Sequence, residues 1–451
     1  MSVSECQGCA EYLQLSRRGF IGAGGGLVLA AAGLPAWLPD VVYAQDACTD
    51  RDIIVTVFLR GAADGFTLCV PHTEDAYYDA RPTLAVPRPD SSDPNKAIDL
   101  DGTFGFPPML APLIPAFQAG QLLVVHACGS TNPSRSHFDA MRFMEVGKPA
   151  DPAVVSGWLG RHLATSTPLS ESAILRAVGI HIGLQRALHS APKALPIRDL
   201  DNFGLGGALS SLAARKAALN DMYNLVAEPL RSAALNSHLT SDLLDQINFA
   251  GYVPAGGAVY PTDDFGKSLK STAALIKADV GVEAVAVDID GWDTHINQGL
   301  APGGALHGLA TKLGSGLAAF HADMFSGPTR NLTVVVMSEF GRRLLENGSL
   351  GSDHGHGNAM FILGNNIDGG RVLTQWPGLA PENLFEGRDL EVTIDFRDIL
   401  AEIVSQRLMN NNLSVIFPDY TPTFHGVTQS CATAAPKPGK KPGKQPAHAR
   451  T

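Results

Sequence analysis

The sequence predicts an α/β fold, a doubly wound and mostly parallel sheet with helices on both faces, from three observations. First, short β-branched runs bounded by turn residues recur at Ile53–Leu59, Leu122–Ala127, Ala284–Ile289, Leu332–Met337 and Ala359–Leu363. Second, these runs lack the polar alternation of a half-exposed strand, as expected of central strands covered on both faces. Third, Leu209–Asn224, Ser237–Phe249, Lys267–Ala278 and Leu306–Met324 lie between them, with apolar residues recurring at three or four positions. Strands alternating with helices build a parallel sheet. In such sheets ligands gather at the carboxyl ends of the strands, so the residues just after each run carry the functional expectation.

Composition narrows the class. The chain has 451 residues, 34 Lys and Arg against 44 Asp and Glu, and a net charge of −10. Non-specific nucleic-acid binding depends on Lys and Arg neutralising phosphates, so nucleic acid is excluded as a partner. A charged fraction of 17% with 47 Gly and 30 Pro points to a well-buried body with many tight loops. No internal repeat is visible.

The first 44 residues read as an address. Ser16-Arg17-Arg18-Gly19-Phe20-Ile21 precedes an apolar, Gly-interrupted run to Leu38, and Val42-Tyr43-Ala44 supplies small residues for cleavage before Gln45. This resembles a twin-arginine signal, which implies export of the folded protein by the twin-arginine translocase to the periplasm or beyond. The run is too short and too broken for a stable membrane anchor. Cys6 and Cys9 fall inside the presequence, so their spacing has no metal or redox meaning for the mature protein. Cys48, Cys69, Cys128 and Cys431 allow one disulfide and require none. The tail from Pro436 to Thr451 holds four Lys, one Arg and no acid. Together with the residues from Cys431 it reads as a disordered basic extension, leaving one domain over 45–430.

Chemistry collects after the strands. Ile53–Leu59 is followed by Arg60-Gly61-Ala62-Ala63-Asp64. Leu122–Ala127 leads to Thr131, Ser134, Arg135, Ser136 and His137, at the start of a helix. Ala284–Ile289 leads to Asp293-Thr294-His295, and Leu332–Met337 to Ser338-Glu339-Phe340-Gly341-Arg342-Arg343, then to Asp353-His354-Gly355-His356. Each motif alone also has a structural reading, since Asp caps helices and builds turns. Gathered at one sheet edge, carboxylates and imidazoles suit a divalent metal, imidazole favouring Zn or Mn and carboxylate tolerating Mg or Ca. The expected ligands are Asp64, Asp293, His295, Glu339, Asp353 and His354, with His137 and His356 as secondary candidates. Arg60, Arg135 and Arg342 could hold an anion through forked hydrogen bonds.

The segments LRGAADGF, SRSHFDAM, GWLGRHL, DGWDTH, SEFGRR, NGSLGSDHGHG and DFRDIL, taken in order from about Asp52 to about Phe417, resemble the exported family known as domain of unknown function 1501. That family is placed in the alkaline phosphatase and sulfatase superfamily. The resemblance implies an alkaline-phosphatase-like fold, a ligating Asp after the first strand matched by Asp64, and a hydroxyl nucleophile at a helix start. Ser136 is the preferred match, with Thr131 and Ser134 as alternatives. Glu339-Phe340 departs from the phosphatase pattern, where an Asp-His or Asp-Asn pair would follow the strand. Cys128 is followed by Gly129-Ser130-Thr131-Asn132 rather than by a formylglycine signature, so ordinary sulfatase chemistry is disfavoured. The expected activity is metal-dependent hydrolysis of a small anionic ester or a cell-surface polymer. The competing expectation is a non-catalytic module that binds a metal or a glycan.

Overall fold

Nine strands form the central sheet of the computed structural model, which describes residues 51–327 and 331–429. The signal segment, Cys48, Cys431 and the basic tail lie outside the described residues. In chain order the strands are β1 Ile53–Leu59, β2 Leu122–Gly129, β3 Ala177–Ile180, β4 Ala194–Pro196, β5 Ala284–Ile289 and β6 Leu332–Ser338. A short antiparallel hairpin follows, β7 Arg342–Glu346 and β8 Ser352–His354, and then β9 Asn358–Gly364, β10 Arg371–Leu373 and β11 Ile394–Asp395. The sheet order is β10-β2-β9-β6-β1-β5-β3-β4, with β11 also on β2. Every pairing is parallel except those of β9, which runs against both β2 and β6. The mostly parallel α/β architecture is therefore the observed one.

Alternation along β1 shows why both faces must be covered. Ile53, Val55, Val57 and Leu59 enter one apolar cluster and Ile54 and Phe58 the other. Val334 and Val336 of β6 follow the first set, Val335 and Met337 the second. Successive side chains of a strand point to opposite faces, so an all-apolar strand needs two layers of helix. Helices Asp264–Lys277 and Ala305–Met324 cover the first face, and Trp158–Thr165 and Phe396–Gln406 the second. The expected helix over Ser237–Phe249 instead spans Leu230–Leu244. Its N-cap is Pro229, a residue suited to helix starts but not interiors, and residues 246–249 turn away from it.

The reversal of β9 positions the site. Because β9 is antiparallel, its beginning lies at the edge where β1, β2, β5 and β6 end. The hairpin that precedes it, with Asp353 and His354, is thereby brought to the same edge.

Candidate metal centre

Three loops and one helix converge at that edge. Past β1, the Arg60 N–H donates to Ile289 O at 2.8 Å and the Trp292 N–H to Arg60 O at 3.1 Å, so the exits of β1 and β5 run together. Gly61 has φ +114°, and a Cβ there would lie 2.6 Å from the Asp293 nitrogen. Only glycine permits this approach. The hairpin is laced to the β5 exit by Asn297 N–H to Ser349 O, Gln298 N–H to Leu350 O and Asn347 Nδ2 to His295 O. His137 opens the helix His137–Val146, whose N-cap Ser136 accepts the Asp139 N–H and whose C-cap Gly147 is left-handed.

These elements bring His137, Asp293, His295 and His354 together. His354 Nε2 lies 2.9 Å from His137 Nε2, 2.9 Å from His295 Nε2 and 3.1 Å from Asp293 Oδ1. Asp293 Oδ1 is 3.0 Å from His295 Nε2 and 3.4 Å from His137 Nε2. The side chains are 21 to 46% exposed, so solvent reaches the cluster. The Phe340 ring stacks on His137 and packs obliquely on His354, both at 5.1 Å, which supports the imidazoles from beneath.

Each imidazole is oriented from its other nitrogen. His137 Nδ1 contacts Glu339 Oε1 at 2.8 Å, His295 Nδ1 contacts Asp353 Oδ1 at 3.1 Å, and His354 Nδ1 contacts the Arg135 carbonyl at 3.0 Å. A carbonyl and carboxylate oxygens accept, so each Nδ1 carries a proton, and in the neutral tautomer the bare Nε2 turns inward. Three lone pairs and a carboxylate oxygen then face one another. Acceptors facing acceptors repel unless a cation lies among them. Ligand atoms around a tetrahedral ion with bonds of about 2.0–2.2 Å would be about 3.3–3.6 Å apart, a few tenths of an ångström beyond most of the separations of 2.9, 3.1 and 3.4 Å among His137, Asp293 and His354. The donor set fits a divalent metal.

Electrostatics agree with this reading. Burial acts to raise the Asp293 carboxyl, but the Arg342 guanidinium hydrogen-bonded to Oδ1 prevails and holds it at about 2. The Glu339 hydrogen bond raises the His137 pKa, which also makes its Nε2 a better ligand. Burial lowers His354. Asn347, with His295, keeps Asp353 below the usual carboxylate range. Glu339 is itself fixed by the Gly61 N–H on Oε1 at 2.8 Å and by Ser338 Oγ on Oε2 at 2.9 Å. Glu339 and Asp353, expected as ligands, are thus placed one step out, behind His137 and His295.

Other expected residues lie elsewhere. Both Asp64 oxygens are taken: Arg81 donates to Oδ2 at 2.6 Å and Oδ1 at 3.0 Å, and Thr67 and Gln298 donate to Oδ2 at 2.7 Å each. Full burial would raise its pKa, yet Arg81 holds it low. Arg342, fully buried, donates to the carbonyls of Gly61, Ala62, Trp292 and Ser352 and to Asp293 Oδ1 at 2.7 Å, clamping three loops. Arg60 is forked on Glu145 and also pairs with Asp288. Neither guanidinium matches its expected role of holding an external anion, because internal acceptors occupy it. Arg135 pairs with Asp389 and Glu386. His356 is buried and stacked on Phe385 at 4.1 Å, apart from the cluster. Ser136 and Thr131 are exposed, and Ser134 Oγ accepts the Ser136 N–H. Cys128 is buried against Met360 and, like Cys69, is a free thiol. Arg81, Gln298 and Asn347 were not anticipated, because their partners lie 17 residues or more away or, for Asn347, across a hairpin.

Among the described residues, no helix is long and apolar enough to cross a membrane. No curated protein matches the chain. Several solved structures resemble it distantly, among them the following two. A phosphonoacetate hydrolase from Sinorhizobium meliloti 1021, in complex with phosphonoformate, is 11% identical at a TM-score of 0.29, over 65% of this chain and 57% of that one. A protein in the alkaline phosphatase superfamily from Vibrio parahaemolyticus is 10% identical at a TM-score of 0.31, over 73% of this chain and 63% of that one. The chain thus spans less than two thirds of either structure, and such likenesses do not bear on its activity. The model of a family described as protein of unknown function (DUF1501) matches residues 216–411, a stretch that carries Asp293, His295, Glu339, Asp353 and His354 but neither Asp64 nor His137.

Proposed function

We propose that this protein is an exported, metal-dependent hydrolase of phosphoesters or related anionic esters. The observation that carries the reading is the convergence of three bare imidazole nitrogens and Asp293 Oδ1 at the carboxyl edge of the sheet. A donor set this rich in imidazole favours Zn or Mn over Mg or Ca. A divalent ion held there supplies Lewis-acid stabilisation of negative charge. The chain's own residues do the rest. His137, His354 and Asp293 bind, with His295 beside them, Glu339, Asp353 and the Arg135 carbonyl set the tautomers, and Arg342 fixes Asp293. Ser136, exposed and adjacent to His137, is the proposed hydroxyl nucleophile. A small anionic ester or a cell-surface polymer is the proposed substrate, and the twin-arginine translocase the proposed route to the periplasm or beyond.

A second reading, a non-catalytic metal- or glycan-binding module, draws on the same cluster. Three mutually close protein ligand atoms leave a position open, as catalytic zinc sites do, whereas a structural site would need His295 to close the shell. Metal analysis of the purified folded protein, combined with a panel of phosphate and sulfate esters, decides between them. Metal-dependent turnover supports the hydrolase. Bound metal that raises the melting temperature while the whole panel stays blank supports the module. Absence of both metal and turnover contradicts the hydrolase and the metal-binding form of the module.

A further inference from the structure

We propose that the chain binds one divalent metal ion, at the cluster of His137, Asp293 and His354, with His295 beside it, and that the Arg81 guanidinium closes Asp64 to a cation. The proposal rests on the metal reading above and adds the ion count and the final ligand set.

The argument follows the carboxylates at this edge one by one. Glu339 accepts from Gly61 N–H and His137 Nδ1 on one oxygen and from Ser338 Oγ on the other. Asp353 Oδ1 accepts from His295 Nδ1 and Asn347 Nδ2, and its Oδ2 faces Arg343 at 3.7 Å. Both are committed to orienting an imidazole or its loop. Asp64 is the remaining expected ligand, and both its oxygens face Arg81. Arg81 is in turn satisfied by the carbonyls of Leu344 and Arg343, and it packs over the Phe66 ring at 4.9 Å. Asp64 and Arg81 are fully buried, within an apolar cluster that includes Phe66, Val70, Tyr77 and Leu344. A metal at Asp64 would have to expel the guanidinium into that cluster and leave a buried charge without its counter-charge. Among the described residues, the group of His, Cys, Asp or Glu side chains whose ligand atoms all lie within 4.8 Å of one another is His137, Asp293 and His354, and it includes neither His295 nor Asp64.

The test is a metal count on the intact mature protein. The chain is stripped with chelator, reloaded separately with Zn²⁺ and Mn²⁺, desalted and measured by native mass spectrometry and elemental analysis. The proposal predicts one equivalent, lost in His354→Ala and retained in Asp64→Asn. Two equivalents in the wild type, falling to one in Asp64→Asn, overturn the proposal while leaving the metal reading intact. No tightly bound equivalent in the wild type overturns both. Should Asp64→Asn fail to fold, the wild-type count decides alone, with two equivalents contradicting the proposal.

Discussion

The two edges of the sheet use the same kinds of residue to opposite ends. At the amino edge, Asp52 accepts from Arg407 at 2.7 Å and from Thr333, and Glu283 is gripped by Arg176 and Arg51. Each acceptor there meets a donor, and both carboxylates are buried. At the carboxyl edge donors stand behind the imidazoles and, through Arg342, on Asp293, while the Nε2 atoms themselves face one another. The first arrangement is a closed ion-pair network that joins β1, β5 and β6 to the elements around them. The second is balanced only by something from outside the chain. What distinguishes a candidate site from a structural network is therefore the balance of donors and acceptors, not the number of charges.

The largest expected effect lies at the closed edge. Glu283→Ala strands Arg176 in the interior and should cost about 3–5 kcal/mol in urea unfolding, with metal affinity unchanged. An equal loss of metal binding would erase the distinction between the edges. Acid attacks the same edge. His162, hydrogen-bonded to Asn410, is pushed down to about 3 by burial, with Arg51 and Arg176 adding to the shift. The unfolded chain therefore binds more protons than the folded one between about pH 6.5 and pH 3, so stability declines as pH falls through that window. A loss on the order of 3 kcal/mol by pH 4, removed in His162→Gln, is expected from one imidazole. A stability profile flat from pH 7 to pH 4 would contradict it.

At the open edge the effects should appear in binding rather than in folding. His354 touches His137, His295 and Asp293, so His354→Ala should weaken metal at least ~100-fold by calorimetric titration, about 2.7 kcal/mol. Glu339→Ala removes the acceptor that turns His137 inward and should cost about 10–100-fold. Glu339→Gln can still accept at Oε1 and should lose less. Equal losses for the two would mean that charge, not orientation, is what Glu339 provides. Ser136→Ala removes an exposed helix cap and should destabilise by roughly 0.5–2 kcal/mol while leaving metal affinity within twofold. The same variant with full esterase turnover would remove Ser136 as nucleophile.

Much of the framework could be read from the chain, for identifiable reasons. β1 and β5 fall at the expected bounds because an apolar run between turn residues is a local signal. Asp293, His295 and His354 were legible because strand ends in a parallel sheet share an edge. His137 ranked lower because a histidine at a helix start reads equally well as a cap or an orienter. The fates of Asp64 and Arg342 could not be read locally. Arg60-Gly61-Ala62-Ala63-Asp64 gives no sign that Arg81 will close on the carboxylate. Nor does Ser338-Glu339-Phe340-Gly341-Arg342 show that its arginine will turn inward onto the carbonyls of other loops rather than outward to an anion. Both outcomes depend on long-range packing. The helix start at Pro229 shows the same limit on a smaller scale, since apolar periodicity alone placed it several residues late.

Anomalous diffraction at the zinc edge, from crystals of metal-loaded protein, tests the central claim most directly. The account predicts one strong peak, at about 2.0–2.2 Å from the Nε2 atoms of His137 and His354 and from Asp293 Oδ1. A loaded crystal with no peak among these three atoms, or with its peak on Asp64 and Arg81 displaced, would contradict it.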